Sequence, residues 1–169
     1  MALPPENLQQ ETTDPQQGEK LQYPLIHVAA LVGMPKVFDA LLDHHACTSW
    51  RDAAGWTLVH ACASGGDLGC LQRCLELRPE EFDLRDSDGD SPLHVASAAG
   101  RLDVSRHLVS LGADCHAIDS EGCSILHCAC RAGMWGFVSE LLERDADVDA
   151  VDMRGGTPLV YAVLSHSGN

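Results

Sequence analysis

The chain is short of positive charge: its 169 residues hold 11 Lys and Arg against 25 Asp and Glu, a formal net charge of −14. Only two of the basic residues are lysines, Lys20 and Lys36. Nucleic acid and anionic lipid both reward clustered cations, so neither is expected as a direct partner. No stretch approaches the ~18 consecutive apolar residues of a membrane span. The first ten residues, MALPPENLQQ, have neither a basic start nor an apolar run of signal-peptide length. The expected setting is the reducing interior of a cell, cytoplasm or nucleus, where the eight cysteines have little reason to pair as disulfides.

Apolar residues make up 45% of the chain and charged ones 21%, a mix able to bury a core. The length suits one domain or a short repeat array. Residues 1–20 stand apart: Pro4, Pro5 and Pro15, a run of glutamines and four acids leave little to pack. Such a composition cannot offset the entropy of ordering, so a disordered tail is expected there. From residue 21 onward the sequence repeats itself. His27, His60, His94 and His127 fall at intervals of 33, 34 and 33. Gly33, Gly66, Gly100 and Gly133 keep the same beat, as do Asp52, Asp86, Asp119 and Asp152, and Gly55, Gly89, Gly122 and Gly155. The one-residue slip lies between Gly66 and Asp86, near Pro79.

Third and fourth units read Asp86-Ser-Asp-Gly89-Asp-Ser91-Pro92-Leu93-His94 and Asp119-Ser-Glu-Gly122-Cys-Ser124-Ile125-Leu126-His127. The second, Asp52-Ala-Ala-Gly55-Trp-Thr57-Leu58-Val59-His60, lacks only the proline, and the fifth carries Val160 in the histidine column. Over residues 21–166 this resembles the ankyrin repeat. The resemblance implies an all-α solenoid of stacked helix-turn-helix units with β-turn fingers, bounded at about 21–50, 51–84, 85–117, 118–150 and a partial 151–169. Elementary physics agrees. Pro92 and Pro158 stand where a first helical residue needs no N–H, and Ser91, Ser124 and Thr157 precede that position as cap types. Apolar residues then recur at helical spacing, and a single helix pair cannot bury both its faces, so neighbouring units must stack.

Most cysteines fall in core columns. Cys62, Cys70, Cys74, Cys128 and Cys130 replace Ala, Val or Leu of other units, which leaves Cys47, Cys115 and Cys123 as the ones expected to be exposed. No metal or cofactor is expected. The histidines are one unit apart, about 8–10 Å between packed helices, too far to share an ion whose bonds are ~2.0–2.1 Å. His44-His45-Ala46-Cys47 is a loop of ligand types read as incidental. Ser91…His94 and Ser124…His127 repeat with the period, and no orienting carboxylate or phosphate loop accompanies them, so no enzymatic activity is expected.

Partners of ankyrin repeats typically meet the finger tips and the exposed side of each first helix. That pattern points here to Ala54, Trp56, Asp88, Asp90, Glu121, Cys123, Arg131, Met153 and Arg154. Trp56 is the expected anchor, a finger-tip aromatic with no evident core to fill. Asp88, Asp90 and Glu121 form an expected acidic rim that favours a basic partner segment. Trp135, in a column with Leu68 and Leu102, is expected in the core. The expected function is non-enzymatic binding of another protein, with two alternatives: an inhibitor that masks a transcription factor, and a substrate-receptor adaptor of a degradation complex. The chain stops within its fifth unit on apolar residues, the pattern expected of a piece of a longer array. A monomer is expected unless that apolar end pairs.

Overall fold

The computed structural model describes residues 24–166; the expected tail over 1–20 lies outside them. Nine α-helices are described: α1 (Leu25–Val32), α2 (Pro35–Asp43), α3 (Leu58–Gly65), α4 (Leu68–Leu77), α5 (Pro92–Ala98), α6 (Leu102–Ser110), α7 (Ile125–Arg131), α8 (Trp135–Leu142) and α9 (Pro158–His166). The odd-numbered helices stack in one row, α1 on α3, α3 on α5, α5 on α7 and α7 on α9, and the shorter-range pairs α1–α2, α3–α4, α5–α6 and α7–α8 put a second helix behind each of the first four. The core between the rows is apolar: Phe38, Leu58, Leu71, Leu93, Leu108, Ile125, Phe137 and Leu141 are fully enclosed.

Three inner helices, α3, α5 and α7, start on the same device. Ser91 Oγ accepts the backbone N–H of His94 at 3.4 Å, and the backbone N–H of Ser91 donates to His94 Nδ1 at 3.2 Å. Ser124 and His127 repeat this at 3.4 and 3.1 Å, and Thr57 donates to His60 Nδ1 at 3.2 Å. The histidine thus stands in for the Glu of an ordinary capping box. Because Nδ1 accepts, the proton is on Nε2, which can donate to the next unit: His60 to the carbonyl of Asp90 at 3.2 Å, His127 to that of Gly156 at 3.3 Å. In the first unit the cap position is Pro24, with neither hydroxyl nor N–H. Nδ1 of buried His27 consequently lacks the cap partner its counterparts have, and the ring packs edge-on against Trp50 at 4.8 Å.

Three units close their outer helix alike. Ala46, Ala113 and Ala146 donate their N–H to Leu41, Leu108 and Leu141 at 2.9, 3.0 and 3.1 Å, each across a left-handed residue, His45 (φ 58°), Gly112 (φ 98°) or Asp145 (φ 60°). Unit two departs from this. Pro79 has no N–H to give, and the chain instead makes one 3-10 turn, Pro79–Glu81. It is pinned by Glu81, a carboxylate only 1% exposed that meets Arg78 at 3.0 Å and Arg51 at 3.5 Å.

Two core expectations need correcting. Trp135 is 45% exposed. Its column is only half-buried in Leu68 and Leu102 too, and Met134, 8% exposed, already fills the space beneath. Cys123, expected to be exposed, is 7% exposed. Cys115 is half-buried and Cys47 exposed. The other five cysteines are buried thiols.

Candidate partner-binding surface

The fingers are built by aspartates. Asp86 Oδ1 accepts the N–H groups of Asp88 and Asp90, both at 2.9 Å. Asp119 Oδ1 holds Glu121 and Cys123 at 2.8 Å, and Asp152 Oδ1 holds Arg154 at 2.9 Å and Gly156 at 2.7 Å. A short acidic side chain is the residue that can bond backbone two and four positions on. Successive fingers are then tied edge to edge by one backbone bond each. Ser87 N–H donates to Ala54 O at 2.7 Å, Ser120 to Asp88 at 2.8 Å and Met153 to Glu121 at 2.8 Å. The approach is close enough to require glycine: at Gly89 (φ 79°) a Cβ would stand 2.9 Å from Ser120 N.

The residue after each finger glycine turns toward the following unit, which overturns the expectation of outward side chains there. Trp56 is half-buried; its Nε1–H donates to Asp86 Oδ2 at 2.9 Å and its ring stacks on His60 at 6.0 Å. The indole therefore does have a neighbour to pack on. Cys123 Sγ lies 3.8 Å from Asp152 Oδ2. Asp90 occupies the same column and faces carboxylates. Burial, reinforced by Asp86, Asp119 and Asp88, pushes its carboxyl up to about 6, and Arg131 draws it only partly back.

The remaining residues divide. Asp88 and Met153 are exposed, Met153 to 80%. Glu121 and Arg154 bond each other across two fingers at 2.9 and 3.1 Å, so this part of the expected acidic rim is neutralised. Arg131, exposed at the end of α7, has its guanidinium carbon 6.0 Å from the Tyr161 ring centroid. Ala54 is half-buried and takes part through its carbonyl. One group was missed: in the column of Arg131 and Ala132 the first unit carries Leu31 and Val32, which with Met34 are 47–64% exposed. The same periodicity that singled out Arg131 could have found them.

The Ser–His pairs are structural in geometry. Ser91 Oγ and His94 Nδ1 are 3.0 Å apart, Ser124 Oγ and His127 Nδ1 2.8 Å, with each residue at most 8% exposed. A hydroxyl so enclosed has no approach for a substrate. Burial lowers His27 and His94 to about 4 and His60 below its usual value. Among the described residues no group of three or more His, Cys, Asp or Glu side chains is placed to hold a metal ion, and no helix is long and apolar enough to cross a membrane.

The sequence model of ankyrin repeats (3 copies) matches residues 26–119 and 107–169. Human NF-kappa-B inhibitor alpha is 34% identical over 102 residues, 57% of this chain and 32% of that protein. Bovine ankyrin repeat domain-containing protein 49 is 45% identical over 51 residues, 30% of this chain and 21% of its own length. Human SMC5-SMC6 complex localization factor protein 1 is 36% identical over 62 residues, 37% of this chain and 6% of that protein. The chain therefore spans a third or less of the length of these relatives.

Proposed function

Since the chain belongs to the ankyrin-repeat family, whose repeats are protein–protein interaction modules, we propose that it binds one protein partner along its finger tips and inner-helix ends and performs no chemistry of its own. The observation that carries this reading is the finger-to-finger bonding through Ala54, Asp88 and Glu121. It holds the side chains of successive units at fixed spacing, so little ordering entropy remains to be lost on binding. Exposed Asp88 and half-buried Asp90 favour a basic partner segment, and exposed Met153 and Leu31, Val32 and Met34 offer apolar ends to the same line.

The test is partner capture with Trp56→Phe and Asp88→Lys beside the wild type. Phenylalanine keeps a stacked ring but loses the bond to Asp86, and Asp88→Lys reverses a rim charge without touching the core. Asp88→Lys is expected to weaken capture at least about tenfold with an unchanged far-UV spectrum; full capture by both variants would refute the finger surface. A second reading, that the partner is a transcription factor held inactive, is favoured by the similarity to NF-kappa-B inhibitor alpha over 57% of the chain. Under that reading binding falls steeply with salt. Six buried thiols suit a reducing compartment, and we place the protein in the cytoplasm or nucleus.

A further inference from the structure

The third unit's finger carries a hydroxyl that no other described residue engages. Ser87 stands exposed at the tip. Its backbone N–H donates to Ala54 O at 2.7 Å, while its Oγ bonds nothing among the described residues. The counterpart on the next finger differs, because Ser120 Oγ donates to Asp88 O at 2.6 Å and is tied into the stack. Charge sets Ser87 apart a second time. Asp86 precedes it, Asp88 follows directly and Asp90 stands at the third position after it. Ser49 and Ser64 also have an acid at that third position, Asp52 and Asp67, but none beside them. Ser49 has the cation Arg51 in between, and Ser64 is half-buried within α3.

We propose that Ser87 is a phosphate-acceptor site for a kinase with a basic substrate groove, and that the added charge tightens the hold of the fingers on a basic partner. The second half rests on the finger reading above. In the transfer Ser87 Oγ attacks the γ-phosphorus of ATP and the bond from that phosphorus to the β,γ-bridging oxygen breaks. ADP leaves, and the hydroxyl proton passes to the kinase's catalytic carboxylate. Asp86, Asp88 and Asp90 meet the cations of the groove. The tip is held through neighbouring fingers, Ser87 to Ala54 and Ser120 to Asp88, so it opens locally without disturbing a helix. The product gains about −1.5 to −2 charge at neutral pH. Its oxygens stand in solvent, where salt screens their repulsion from Asp88 and Asp90, and a partner's Lys or Arg gains a further anion to bond.

The test is incubation of the full chain with casein kinase 2, an acid-directed serine kinase, and magnesium ATP, read by intact mass and fragment mapping. Phosphate is expected on Ser87, and Ser87→Ala should lose that transfer. Asp90→Asn, which keeps the side-chain shape, should slow it at least about tenfold with an unchanged far-UV spectrum. The phosphorylated chain should then bind a fluorescent octalysine peptide at low salt at least about threefold more tightly than the unmodified one. No transfer to Ser87, transfer to Ser49, Ser64 or Ser120 at an equal rate, or an unslowed Asp90→Asn would each overturn the acceptor site. Octalysine affinity that stays level or falls would overturn the tightening. Full partner capture by Asp88→Lys would instead overturn the finger reading and leave phosphorylation of Ser87 standing.

Discussion

Asp90 is the position where the structure works against itself, and replacing it should show this. Its column carries Trp56 and Cys123 in the flanking units, each reaching the aspartate of the next finger. Asp90 has no such partner: burial first, then the charges of Asp86 and Asp119, raise its carboxyl from 3.8 to about 6. A rise of about two units is a folded-state penalty of about 3 kcal/mol on the charged form. The side chain is half-buried, so solvent screening reduces this to about 1–2 kcal/mol. Asp90→Asn keeps the shape and removes the charge, while the bonds of the Asp90 backbone to Asp86 and His60 are untouched. Near neutral pH the variant is expected to melt about 2–8 °C above the wild type. The sign follows from linkage. An acid with a raised folded-state value binds its proton more readily folded than unfolded, so the wild type recovers stability as pH falls from about 6 toward 3.8. The gap should close by about pH 4. Thermal melts by circular dichroism at the two pH values decide it. A variant that melts no higher than wild type near neutrality refutes the cost assigned to this buried charge among carboxylates, and so does a gap undiminished in acid.

Acid should still weaken the protein as a whole, through the histidines. His27 and His94 take up protons in the unfolded chain near 6.5 but in the folded one only near 4. Stability is therefore full above 6.5 and falls between about 6.5 and 4, by about 2 kcal/mol per histidine at pH 5; denaturant midpoints that stay level over this window would contradict their burial as neutral rings. Gly89→Ala forces a methyl to 2.9 Å from Ser120 N at φ 79°, and should cost about 2 kcal/mol or more in urea titrations, whereas a loss under half a kcal/mol would mean the fingers are not closely tied.

Much of the fold is legible in the sequence because its determinants are local. Helix starts follow from Ser91, Pro92 and their counterparts, helix-to-helix spacing from the glycines, and the altered loop of unit two from Pro79. What the columns do not give is direction. Trp56, Cys123 and Glu121 each make their decisive contact with a residue 29 to 33 positions away, and nothing in a repeat pattern says whether a finger side chain faces solvent or the next finger. Trp135 fails differently: its column is apolar, but Met134 takes the buried place beside it.

The imidazole bridges give the stack a polarity. His60 and His127 lean forward onto backbone oxygens of the unit that follows, so removing a last unit strands a donor in the one before it, while removing a first unit strands none of these. Loss of the fifth unit would thus leave the His127 Nε2–H without its acceptor, and loss of the third would do the same to His60.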